Sequence, residues 1–273
     1  METLSTTIET QPMVGFERHW PEYLMEAAEL GSFMISACVF TALLEHPASP
    51  VHALVPDPTL RRVLMGTAMG LTVISIFFSR GGKRSGAHLN PGVTLAFYSL
   101  GKIHGWDAFS YVVAQFAGGL AGVSLASLVI GKGLGHPSVN YAVTMPGPKG
   151  PWVAFGAEFL ISFLMIMTVL TFSNSKRLTR WTPLMAGILV ATFISIEAPL
   201  SGMSMNPART LGSAVRANQF SGLWVYFSAP VLGMLLAARI YVMRRGPHAI
   251  FCAKVHHHNN QRCIFRCNYG ALE

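Results

Sequence analysis

The chain writes one short phrase twice, SGAHLNPGV from Ser85 to Val93 and SGMSMNPAR from Ser201 to Arg209. Each copy follows a long apolar stretch and opens a further apolar segment too short to cross a bilayer, so each reads as a half-helix that enters the membrane and stops. Two interrupted segments in corresponding positions point to a site at the membrane midplane. In each copy Asn precedes Pro, the order in which a helix starts. Asn90 or Asn206 is the N-cap, and Pro91 or Pro207 takes the first turn, where its missing N–H costs nothing.

Of 273 residues, 51% are hydrophobic and 12% charged, with a mean hydropathy of +0.43, too apolar for a soluble domain of this size. Six stretches, at about 22–44, 62–79, 106–130, 152–172, 182–199 and 222–243, approach the ~20 residues an α-helix needs to cross ~30 Å of hydrocarbon. The formal net charge of +8 could draw nucleic acid, but the basic residues form no single face or stripe, so no such partner is expected. They fall in loops instead. Arg80, Lys83, Arg84 and Lys102 flank the first half-helix, Lys176, Arg177 and Arg180 separate spans four and five, and Arg244 and Arg245 follow span six. By the positive-inside rule these loops and both termini are cytoplasmic, as in a multi-pass protein of a plasma or cell inner membrane. The opposite loops hold the sparser Arg61, Arg62, Lys132 and Lys149 among turn-forming Pro and Gly.

The expected fold is all-α: six transmembrane helices plus two re-entrant half-helices, at 90–99 and 206–215, in an inverted repeat. Residues 22–130 form the first three-span repeat and 152–245 the second, joined by an extracellular connection at 131–151. Because three is odd, the halves must lie upside down relative to each other. Residues 1–21 carry Glu2, Glu9 and Glu17 against Arg18 with no apolar core, and read as a partly disordered cytoplasmic tail rather than a signal peptide. Residues 246–273 form a second cytoplasmic tail.

Span one carries Glu29 within AAELGSF and span four carries Glu158 within GAEFLIS. A carboxylate inside a span is costly and needs a partner. The matched pair reads as acceptors for loop backbone that enters the bilayer, where every N–H must be satisfied. With the halves inverted, the half-helix N-termini meet head to head, each bringing roughly half a positive charge and repelling cations and protons. Asn90 and Asn206 use their side-chain oxygens as caps and keep amide N–H donors for a permeant oxygen. A water held by two donors turns its hydrogens away, which breaks a proton wire.

At these residues the chain resembles the aquaporin, or major intrinsic protein, family, whose pattern is a pair of Asn-Pro-Ala boxes in inverted three-span repeats. The resemblance runs over about residues 23–245. It implies a homotetramer with a pore in each subunit, Asn90 and Asn206 at the pore centre, and Glu29 and Glu158 bracing the re-entrant loops. The first box departs from the pattern, reading Asn90-Pro91-Gly92 against Asn206-Pro207-Ala208. Glycine there weakens the first turn by up to ~1 kcal/mol. The resemblance also implies an outer constriction built from Arg209, Met203, Ile194 and either Met69 or Gly70. Strictly water-selective members usually place His at the Ile194 position and an aromatic in span two. An apolar lining points instead to glycerol, urea, hydrogen peroxide or an uncharged metalloid acid. Thr210, where glycerol channels have Asp, points back to water, as do Ala214, Tyr226 and Phe227. Glu197, one turn beyond Ile194, either offers an acceptor to the permeant or bonds loop backbone near Ser201.

The function expected is a passive channel for water and/or small neutral solutes, excluding ions and protons. No nucleophile and base pair, phosphate loop or cofactor motif is present, so neither enzyme activity nor a cofactor is expected. Inverted repeats and buried glutamates also describe secondary transporters, whose glutamates would exchange protons. Cys38 lies in a span while Cys252, Cys263 and Cys267 crowd the C-terminal tail, which is no extracellular disulfide framework. Cys252, His256, Cys263 and Cys267, at Cys-x₃-His and Cys-x₃-Cys spacings, are candidate zinc ligands. The plainer expectation is a disordered, reduced tail with incidental soft ligands.

Overall fold

The structure, a computed structural model, describes residues 12–269, and side chains from Glu17 onward. Ten α-helices follow one another: α1 (Pro12–Glu45), α2 (Pro50–Leu54), α3 (Pro58–Phe78), α4 (Arg80–Ser85), α5 (Pro91–Ser99), α6 (Gly105–Ile130), α7 (Pro151–Ser173), α8 (Thr182–Ser201), α9 (Pro207–Ala217) and α10 (Leu223–Arg245). Six of them, α1, α3, α6, α7, α8 and α10, are long and apolar enough to cross a membrane. Residues 1–11, the greater part of the expected N-terminal tail, and 270–273 lie outside the described residues. The rest of that tail is helical, because α1 already begins at Pro12. Its first described turns are tied down: Glu22 pairs with Arg84 at 2.8 Å, and both Tyr23 and His19 reach Asp107 at the start of α6.

Local chemistry sets the helix starts. Asp57 accepts the N–H of Leu60 at 2.7 Å, with Pro58 opening α3. Asn90 and Asn206 cap α5 and α9 in the same way, Asn90 Oδ1 accepting from Gly92 N at 2.8 Å and Asn206 Oδ1 from Ala208 N at 3.0 Å and Arg209 N at 3.2 Å. With 9 and 11 residues, α5 and α9 extend roughly 14 and 17 Å at 1.5 Å per residue, half a bilayer core each.

Within each half the first and third spans pack together, α1 on α6 and α7 on α10, while α3 and α8 join the halves. The half-helices are exchanged: α9 lies on α6 of the other half, and α5 lies on α10. Glycine permits the tight seams. A Cβ on Gly118 would stand 2.1 Å from the Ala27 carbonyl oxygen, and one on Gly70 would stand 2.5 Å from that of Gly187. Lipid offers no hydrophobic gain for helix contact, so such small-residue seams supply close van der Waals packing instead.

Beyond α10 the chain does not dangle. Residues 246–269 fold back over the face where α1 begins and α10 ends, burying Ile250, Cys252, Ala253 and Val255. This corrects the expectation of a disordered tail, and the physical reason is a set of long-range anchors. The Phe251 N–H donates to Asn174 Oδ1 at 2.6 Å, the Arg266 N–H donates to the Lys102 carbonyl at 3.0 Å, and the Tyr269 hydroxyl donates to the Ser173 carbonyl.

Candidate functional site

Each repeated phrase forms a loop that descends between spans and turns into a half-helix. In the second loop, Glu158 takes three donors at 2.7 Å: the N–H groups of Ser204 and Met205 and the hydroxyl of Ser201. In the first loop two carboxylates share that work. Glu26 accepts the N–H of His88 at 2.8 Å and of Leu89 at 2.7 Å, while Glu29 accepts only the Ser85 hydroxyl, at 3.0 and 3.1 Å. The expected pairing of Glu29 with Glu158 is thus corrected, since Glu26 is the acceptor of loop backbone. Glu22, Glu26 and Glu29 stand at i, i+4 and i+7 on one face of α1, all buried. That spacing was the sequence signal for Glu26. Two tyrosines complete the symmetry, Tyr111 donating to the Ser85 carbonyl at 2.6 Å and Tyr226 to that of Ser201 at 2.5 Å.

The two loops repeat the same backbone strain. Gly86, Ala87 and Leu89 in one, and Gly202, Met203 and Met205 in the other, all have positive φ. For a non-glycine residue this conformation costs about 1–2 kcal/mol and persists only when the surroundings dictate it. The surroundings here are the carboxylates and a crossed pair of bonds. Asn90 Nδ2 donates to the Met205 carbonyl at 2.6 Å, and Asn206 Nδ2 donates to the Leu89 carbonyl at 2.8 Å. Each amide carries two N–H groups, so one of each is committed across the interface and one is left for the lumen. The expectation that both would be free is corrected by this exchange.

Two cavities adjoin next to the Asn pair, at Ser204 and Met205. The wider, about 530 Å³, is lined by Met69, Ile194, Met203 and Arg209, together with Phe33 and Met65. The narrower, about 100 Å³, is lined by Asn90, Asn206, Leu89, Val93, His88 and Val255. Phe33, Val190, Ser204 and Met205 belong to both linings, so the two cavities adjoin within the bundle. Of the alternatives in span two, Met69 reaches the lining; Gly70 faces α8 instead, where its missing side chain admits the Gly187 backbone. Pro91, Pro207, Gly92 and Ala208 are buried behind the Asn pair as the first turns of α5 and α9. Thr210 is also set back, lying 2.5 Å from Ser204 Oγ and 3.0 Å from Thr144 Oγ1. Glu197 is buried, lines neither cavity, and neither of its oxygens makes a hydrogen bond; the Ser201 hydroxyl is already given to Glu158. His88, within the first phrase, went unremarked in the sequence. Its Nδ1 lies 3.0 Å from Thr94 Oγ1, and its Nε2 donates to the Ala253 carbonyl at 2.8 Å.

In the folded tail, Cys252, Cys263 and Cys267 converge with His257, all four ligand atoms within 4.8 Å of one another. His256, the histidine expected there, points away and packs edge-on against Phe78 at 5.2 Å. The Cys-x₃-His spacing presumes a helix, whereas this segment is irregular and adjacent side chains leave it on opposite sides.

The match to known proteins agrees with this architecture. The family description Major intrinsic protein fits residues 21–241. Aquaporins NIP2-2 and NIP2-3 from Zea mays are 32% and 33% identical over 219 and 228 residues, covering 79% and 82% of this chain and 72% and 73% of their own. An aquaglyceroporin from Plasmodium falciparum shares the fold with a TM-score of 0.67 at 18% identity, over 85% of this chain and 98% of that one. With matched half-helices meeting beside two adjoining cavities, and a family match across nearly all of the membrane-spanning segment, the chain belongs to the major intrinsic protein family of passive channels for water and small neutral solutes.

Proposed function

We propose that the pore conducts water together with small uncharged solutes broader than water, glycerol-sized polyols and undissociated hydroxylated acids among them. The observation that carries this reading is the outer lining, where Arg209 stands among the apolar side chains of Met69, Ile194 and Met203, while Arg62, which also lines this cavity, is tied to the Ser195 carbonyl. Arg209 supplies fixed donors to a hydroxyl, and flexible methionines leave room for carbon. The Thr210 signal for strict water selectivity weighs less, because that side chain is tied to Ser204 and Thr144 behind the lining. Asn90, Asn206 and the converging N-termini of α5 and α9 form the barrier to protons and cations.

Both termini are assigned to the cytoplasm of a plasma or cell inner membrane, on the distribution of Lys and Arg among the loops. A homotetramer is supported by a polar stripe on the outer surface of α1 and α3, where Ser32, Ser36, Thr67, Thr72 and Ser75 line an outward groove. Hydroxyls on a lipid-facing surface favour helix–helix contact. Native mass spectrometry in mild detergent tests that assembly.

Stopped-flow swelling of proteoliposomes over a panel of water, glycerol, urea and boric acid tests the permeation reading. Non-saturating flux of water and glycerol that needs no proton gradient is expected. Water flux alone would overturn the broad selectivity, and saturating, proton-driven uptake would revive a transporter. Ile194→His, which narrows the lining and adds a hydrogen-bonding ring, is expected to lower glycerol flux about tenfold while sparing water, a change of ~1.4 kcal/mol in barrier.

A further inference from the structure

We propose that Cys252, His257, Cys263 and Cys267 bind one thiophilic divalent cation of the zinc class, and that the bound ion clamps the C-terminal segment as a plug across the inner mouth of the pore. The clamp rests on the channel reading above; the metal site does not.

The donor set has the composition and size of one coordination sphere. Cys252 Sγ and Cys263 Sγ are 3.4 Å apart, and Cys267 Sγ is 3.0 Å from His257 Nε2. Around a tetrahedral ion with Zn–S bonds of ~2.3 Å, sulfurs stand ~3.8 Å apart. The Cys252 sulfur is also met by backbone from two residues further on. Lys254 N donates to Cys252 Sγ at 3.4 Å. Outer contacts of this kind fix ligands in place. The fourth ligand is oriented too, since the His257 ring stacks on Tyr269 at 4.2 Å and 12°.

Charge gives an independent argument. The Lys254 residue is 1% exposed, and its Nζ is held by the carbonyls of Gln261 and Arg262 at 3.0 Å and by Asn259 Oδ1 at 3.5 Å, with no carboxylate among these partners. A buried ammonium so held needs a counter-charge, and the acidic groups close enough to act on it are Glu22, already paired with Arg84, and the three cysteines. Three thiolates and a neutral imidazole around a divalent ion carry a net charge of −1, beside that ammonium.

The residues between the first two ligands reach the pore. Val255 lines the narrower cavity with Asn90 and Asn206, and its N–H donates to the Gly86 carbonyl at 3.1 Å. Ala253 accepts from His88, and Phe265 stacks on the same ring at 5.4 Å. The ion therefore closes the base of the loop whose tip lies in the lumen. Without it, the ends of that loop regain their freedom and the plug loses the constraint that holds it down.

The test uses the full-length protein, purified without oxygen, reconstituted and loaded with zinc. Metal content per chain and swelling rate are measured before and after a high-affinity chelator, and in the Cys263→Ser/Cys267→Ser variant. About one zinc per chain is expected, with stripping or the variant raising swelling about tenfold and zinc reversing only the former. Absence of zinc together with loss of two titratable thiols would overturn the metal site in favour of a disulfide. Bound zinc with equal, measurable swelling in both forms would overturn the clamp and leave the site standing. Absence of swelling in every form would overturn the clamp and the channel reading together, while metal content still decides the site.

Discussion

Replacing Glu26 by Gln should damage the protein far more than replacing Glu29, although the two lie one turn apart on α1. Glu26 Oε1 accepts one backbone N–H, and Oε2 accepts another along with the Gln115 amide. A Gln presents only one oxygen. Whichever way its amide turns, an N–H group faces a donor, so one charge-assisted bond worth about 1.5–3 kcal/mol is lost and a buried N–H is stranded at a further cost of about 1–3 kcal/mol. For Glu29→Gln the only donor is the Ser85 hydroxyl, which rotates to the remaining oxygen at a cost of about 1 kcal/mol. The difference, about 3 kcal/mol, corresponds to roughly 6–12 °C in melting temperature for a chain of this size class. Thermal unfolding in detergent, followed by tryptophan fluorescence, measures it. If Glu29→Gln lowers the melting temperature as much as Glu26→Gln, the division of labour between these carboxylates is refuted. Glu158→Gln belongs with Glu26→Gln, since it also takes two backbone N–H groups.

Other perturbations probe different parts of the path. Gly118→Val drives side-chain atoms into the Ala27 carbonyl, and overpacking of about 1–3 kcal/mol or more should separate α1 from α6 and lower both melting temperature and yield. Asn206→Ala removes the cap of α9 and the bond to the Leu89 carbonyl, about 2 kcal/mol together, and unfolding in detergent should register it while water flux persists. Arg209→Ala takes from the wider cavity the cation that stands beside Met203 and Ile194, and planar-bilayer recordings should show a new cation leak; unchanged conductance would remove Arg209 from the barrier.

The half-helices were legible because their starts are local chemistry: Asn followed by Pro dictates a capped first turn wherever the chain is placed. The spans were legible because crossing hydrocarbon leaves a compositional trace. What escaped depends on helix phase and depth. Matching AAE to GAE aligned Glu29 with Glu158 by spelling, but the packing of α1 on α6 decides which carboxylate meets the descending backbone. Met69 and Gly70 are neighbours in sequence, yet a rotation of ~100° sends one to the lumen and the other to α8. The tail escaped for another reason. It has no periodicity, and its order comes from partners far away in the chain, His88 for Phe265 and Ser173 for Tyr269.

The crossed bonds between Asn90 and Met205, and between Asn206 and Leu89, connect residues 115 and 117 positions apart. At translation speeds of about 5–20 residues per second, the first loop waits roughly 6–23 s in the bilayer before its partners are made. During that interval the Leu89 carbonyl and one N–H of Asn90 lack the partners of the finished fold, a cost of several kcal/mol each wherever water does not reach them. A ribosome that stalls between the halves therefore leaves a marked product, a three-span fragment with an unsatisfied polar knot at its centre. A second half supplied in trans should satisfy that knot with the Met205 carbonyl and the Asn206 amide.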